Sequence, residues 1–148
     1  MIKLDIACYG YTVDDVTLFG VVLRSSSGEE IKKTFRLKPG TTLNVAELHA
    51  FEYAFKSIKY PNEAEVTMFF PNPYISNILH KRENKYVMNV NKNADFVKSV
   101  RNMREMMPYS EIISHKTLEI CGEVQTLVKE EAKRITNELA GNKGNMSL

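Results

Sequence analysis

Three strand-like runs precede any helical pattern, and this order constrains the fold more than any other feature of the chain. Residues 2–9 place Ile2, Leu4, Ile6 and Cys8 on alternate positions, the period of a strand with one buried face. Residues 16–24 form a more continuously apolar run through Leu18, Phe19, Val21, Val22 and Leu23. Ser25-Ser26-Ser27-Gly28 marks a turn, and residues 29–37 alternate again through Ile31, Phe35 and Leu37. Runs this close together, joined by short turns, predict an antiparallel meander. Pro39-Gly40 ends it.

The pattern then changes. A helix is expected from about Leu43 to Lys59, followed by a short β-rich run from Val66 to Phe70. Pro71-Asn72-Pro73 breaks that run, and Asn72 is expected to cap a new helix with Pro73 at its first position. Asn84 to Asn93 reads as a polar loop. A helix from about Ala94 to Met107 buries Phe96, Val97, Val100, Met103 and Met107 and stops at Pro108. Glu111 to His115 reads as a short strand, and a last helix covers about Gly122 to Leu139. The order βββαβααβα predicts an α/β fold, with a mixed five-stranded sheet and helices on both faces. Residues 1–140 form one domain in this reading, and residues 141–148 a disordered tail.

Composition narrows the class. The chain has 148 residues, enough for one sizeable core, with 43% hydrophobic and 26% charged residues. No apolar run approaches a membrane span, and no signal-peptide pattern opens the sequence. Two cysteines outside any CxxC pattern fit reduced thiols, and a cytoplasmic protein without membrane contact is expected. The net charge of +2 conceals an asymmetry. From His80 to Arg104, seven cations (Lys81, Arg82, Lys85, Lys92, Lys98, Arg101 and Arg104) face only Glu83 and Asp95, a local net of +5 that leaves −3 for the remainder. A phosphate-binding surface and a solvated helix face both fit such a run.

Two carboxylates interrupt apolar patterns. Glu47 falls in the stripe of Leu43, Ala50, Phe51, Ala54 and Ile58, where a bare charge is too costly to bury. It needs a partner, a proton or a metal, unless Asn44-Val45-Ala46-Glu47 is a capping box with Asn44 as the cap. Asp5 interrupts the first strand, either on a covered face needing a partner or on an edge facing water. Together the two make a motif for divalent cations at oxygen ligands. His115, at the end of a short strand, is either structural or a hydrogen-bond donor near a phosphate.

These segments resemble the ribonuclease H family over about residues 2 to 135. Leu4-Asp5-Ile6-Ala7 is similar to its first strand, in which an Asp is followed by Gly and a small residue. Phe19-Gly20-Val21-Val22-Leu23 is similar to the second strand, and Asn44-Val45-Ala46-Glu47 to the Asn-x-Ala-Glu start of the first helix, the most specific match. Val66 to Phe70 resembles the fourth strand, Ile113-Ser114-His115 the fifth strand and the His beyond it, and Val124 to Ala132 the last helix. The resemblance implies a two-metal nuclease, with Asp5 and Glu47 as the first two carboxylates and His115 as a catalytic residue. The third carboxylate position falls at Pro71, with Asn72 beside it, and the fourth at Gln125. The set is degenerate, so Mg²⁺ or Mn²⁺ binding is expected to be weak or absent.

The leading expectation is therefore a ribonuclease H-like pseudoenzyme that binds an RNA–DNA hybrid or duplex RNA. Asn44 would contact the RNA strand, and Lys81, Arg82, Lys85, Lys98, Arg101 and Arg104 would form a basic face. Two alternatives stand beside it. One is an active endoribonuclease, a hydrolase using Glu123 or Asp14 as a replacement ligand. The other is an interaction module that reuses the fold for a protein partner.

Overall fold

The structure is a computed structural model that describes residues 1–146. The meander forms as expected, with strands β1 (Ile2–Val13), β2 (Val16–Ser25) and β3 (Glu30–Leu37). Helix α1 (Leu43–Lys56) leads to strand β4 (Ala64–Phe70) and the single-turn helix α2 (Tyr74–Ile78). Strands β5 (Lys81–Arg82) and β6 (Lys85–Tyr86) make a small hairpin whose second strand falls inside the segment from Asn84 to Asn93 expected to be loop. Helix α3 (Ala94–Glu105), strand β7 (Ser110–Ser114) and helix α4 (Glu119–Met146) follow. The tail expected to be disordered from residue 141 is helical through Met146, and residues 147–148 lie outside the described residues.

The five main strands order as β3-β2-β1-β4-β7. Pairing is antiparallel across β3, β2 and β1 and parallel across β1, β4 and β7. Helices cover both faces. Ile6, Cys8, Val21, Leu23, Met68 and Phe70 pack with α1, α2 and α3, while Ala7, Leu18, Val22 and Phe69 pack with α4. This sandwiching explains why β2 lacks polar alternation, since its first eight residues are all buried. Among the described residues no helix is long and apolar enough to cross a membrane. The outer strand β3 presents Lys32, Lys33 and Arg36 to solvent.

Two glycines let the helices approach the sheet. Gly10 sits under α1, where an added Cβ would lie 3.2 Å from Leu43 Cδ1 and 3.3 Å from Ala46 Cβ. Gly20 sits under α4, where a Cβ would fall 2.3 Å from Val128 Cγ2. A β-branched side chain is stiff at χ1 and cannot yield by that much, so either α4 lifts or Val128 leaves its rotamer. Gly20→Ala should lower unfolding stability by about 1–3 kcal/mol in a urea titration. Adding Val128→Ala to it should return part of that loss, whereas a Gly20→Ala protein as stable as the wild type would contradict the packing.

Candidate functional site

Helix α1 starts two residues earlier than a cap at Asn44 would require. Thr42 is the N-cap, its Oγ1 accepting from the backbone N–H of Val45 at 3.3 Å. Asn44 is therefore inside the first turn and exposed, and the capping box with Glu47 does not form. Glu47, one turn further, faces the sheet and is fully buried. Its Cγ lies 3.4 Å from the Cβ that Gly10 lacks, so the glycine makes room for the side chain.

The partner of Glu47 is Asn72, whose Nδ2 donates to Glu47 Oε1 at 2.8 Å. Asn72 lies just past the end of β4. Its amide is taken up by the carboxyl, so it does not cap α2, which instead has Pro73 at its N-cap with no side-chain hydrogen bond. Glu47 Oε2 and the Tyr74 hydroxyl are both buried without a hydrogen-bond partner among the described residues. Burial pushes the Glu47 carboxyl up to about 7, against the opposing pull of the Asn72 hydrogen bond. Burial likewise raises the Tyr74 hydroxyl.

Asp5 does not join this group. It is on central strand β1, as expected, but exposed, and it shares the α4 face with its cross-strand neighbour Arg24 rather than the α1 face with Glu47. Five residues separate it from Gly10, about 16 Å along a strand. The resemblance asked for an Asp followed by Gly. In the structure the glycine beside Glu47 is Gly10, so Tyr9 stands at that position and the match at Asp5 is four residues too early.

Neither candidate replacement ligand forms a hydrogen bond with Glu47 or Asn72 among the described residues. Glu123 is clamped by Arg24 through paired hydrogen bonds, one of them Nη2 to Oε1 at 2.6 Å, and by Lys32 at 3.6 Å. Asp14 is exposed in the β1–β2 turn with φ 53°, four residues beyond Gly10. Gln125 is exposed on α4. No group of three or more His, Cys, Asp or Glu suited to a metal occurs among the described residues. One buried carboxyl facing an amide N–H₂ does not fit a pair of Mg²⁺ ions, which need several anionic or carbonyl oxygens.

His115 lies beyond β7 in the left-handed conformation, φ 59°, exposed, with its N–H bonded to Phe70 O at 3.1 Å. That places it at the same end of the sheet as Pro71, Asn72 and Glu47. The basic segment is only partly a free surface. Arg101 donates from Nε to Ile78 O at 2.8 Å and from an Nη to Met88 O at 2.6 Å, and its guanidinium lies 4.5 Å from the Tyr86 ring centroid. Arg104 donates to Ser110 O at 3.0 Å, and Lys81 pairs with Glu105. These three tie the hairpin, α2 and β7 to α3, in place of the phosphate contacts the sequence suggested. Arg82, Lys85, Lys92 and Lys98 are exposed and form no salt bridge among the described residues.

The raised Glu47 value gives a signed pH effect. Between the ordinary 4.5 and about 7 the folded chain holds a proton that the unfolded chain releases. Its stabilising contribution is complete below pH 4.5 and is lost as pH rises through 7, up to about 3 kcal/mol in all. Thermal unfolding of Glu47→Gln should show this part of the pH dependence removed, with the variant overtaking the wild type above neutrality. Parallel pH profiles for the two proteins would contradict the assignment.

No protein-family model matches the sequence, and no curated protein matches it either. Solved structures do. Ribonuclease H1 LC11, isolated from compost by a metagenomic approach, superposes with a TM-score of 0.70 at 19% identity, covering 90% of this chain and 98% of that one. The same enzyme in complex with an RNA/DNA hybrid gives 0.66 at 18% identity, over 86% and 95%. Ribonuclease H1 from the halophilic archaeon Halobacterium salinarum NRC-1 gives 0.65 at 14% identity, over 89% and 98%. With the strand order β3-β2-β1-β4-β7 and helices on both faces, the chain has the ribonuclease H-like fold.

Proposed function

We propose that this chain binds RNA–DNA hybrid or duplex RNA through the surface around the C-terminal ends of β1 and β4, and that it does not cleave it. The observation that carries the second half is the Glu47–Asn72 pair: a single buried carboxyl, its hold on a proton strengthened by burial, facing an amide donor. A two-metal hydrolysis needs ligands on both cations, and losing even one metal's contribution removes several kcal/mol of transition-state stabilisation. The binding half rests on three supports. One is the fold, of which the LC11 relative has been captured with a hybrid. The second is exposed Asn44 at the start of α1, above the same sheet end. The third is the set of unpaired cations Arg82, Lys85, Lys92 and Lys98 on the hairpin, the following loop and α3.

An active nuclease was the competing expectation. Its replacement ligands were Glu123, now held by Arg24, and Asp14, which lies at a hairpin tip.

Purified protein should bind a hybrid at low salt with affinity that falls steeply as salt rises, because neutralised phosphates release counterions. Replacing Arg82, Lys85 and Lys98 by Ala should weaken binding and flatten the salt slope by about one per lost contact. Cleavage in Mg²⁺ or Mn²⁺ should be absent. Turnover abolished by Glu47→Gln would refute the non-catalytic half, and no duplex binding at low salt would refute the binding half. Arg101→Ala should lower stability, since it removes bonds to Ile78 and Met88.

A further inference from the structure

Tyr9 and Tyr11 stand on the α4 face of β1, next to Gly10 and at the end of the sheet where Glu47, Asn72 and His115 gather. Their rings are stacked, with centroids 6.1 Å apart and planes 22° from parallel. Both residues are half-exposed, and neither hydroxyl forms a hydrogen bond among the described residues. Lys129 of α4 holds its Nζ 5.9 Å from the Tyr11 ring centroid and forms no salt bridge among the described residues. Lys133 follows it one turn later, also exposed. The end of the sheet thus carries two stacked rings, one of them beside a lysine.

We infer that Tyr9 and Tyr11 form a stacking platform for an unpaired base, with Lys129 neutralising the adjoining phosphate. The inference rests on the nucleic-acid reading above and narrows it to duplexes carrying a single-stranded extension. A tyrosine ring offers a π-face to any base, so the platform carries no sequence preference. A carboxylate at position 9 would repel the phosphate of such a strand, whereas the ring and Lys129 attract it. The structural role of the pair, packing against the core under α4, accounts for the buried side of each ring. It does not account for the part of each residue that stays exposed beside a lysine forming no salt bridge among the described residues.

The test compares a blunt RNA–DNA hybrid with the same hybrid carrying a single-stranded oligothymidylate extension. The extension should tighten binding by about tenfold or more, as expected for one or two base–aromatic stacks. Tyr11→Leu should abolish that advantage, so that the variant binds the extended and the blunt hybrid equally, and Tyr11→Phe should keep it. Lys129→Gln, on an exposed side chain that folding does not require, should reduce it. An extension without effect, or an advantage that survives both Tyr11→Leu and Lys129→Gln, overturns the platform. If the blunt hybrid binds in that case, the broader reading stands. If neither probe binds, both readings fall.

Discussion

Helix α1 lies close against β1 at position 10, where there is no side chain, and that approach traps the Glu47 carboxyl between helix and sheet. Once there, the group is cut off from water and receives one hydrogen bond, from Asn72. Much follows from this contact. It draws Asn72 away from capping α2, leaving that helix at a single uncapped turn. It also makes the carboxyl a proton carrier near neutrality rather than a fixed negative charge. A site of this kind positions backbone and shape well and holds a divalent cation poorly.

The second constraint is the tethering of the β5–β6 hairpin. The sheet itself gives this segment no strand partner, and its two-residue strands are too short to persist alone. Arg101 bonding two carbonyls and stacking on Tyr86, together with the Lys81–Glu105 pair, fastens it to α3. Tyr86 adds a 2.6 Å hydrogen bond to Glu105. Cations engaged in this way fix the arm's position. The remaining exposed cations on it, Arg82 and Lys85, can then meet a polyanion without the entropy cost of ordering a loose loop.

Much of the fold was legible in the sequence because period and punctuation agree there. The three strand-like runs, Pro39-Gly40, the apolar stripe of α3 and the stop at Pro108 each correspond to an element or boundary of the structure. The site was less legible. Glu47 announced itself as a carboxylate in an apolar stripe, and it is buried. Asp5 looked equivalent but is not, because α4's cover ends near Ala7 and strand alternation says nothing of where a covering helix stops. Arg101 and Arg104 looked like free cations, because a guanidinium's carbonyl partners at Ile78, Met88 and Ser110 are fixed only by tertiary packing. Tyr9 carried a readable signal, being followed by a glycine, but an aromatic in a strand is ordinarily taken for core.

The outer strand β3 bears on how this molecule behaves among copies of itself. A sheet that ends in an open strand offers its unpaired N–H and C=O groups to any similar strand, the usual route to cross-molecular polymerisation. Here that border carries Lys32, Lys33 and Arg36, and Glu30 and Glu123 offset only the first of them. Two molecules meeting border to border would press like charges together as their backbones came within bonding range. The opposite border, β7, is only five residues long. Both margins of the sheet thus discourage growth beyond the single molecule.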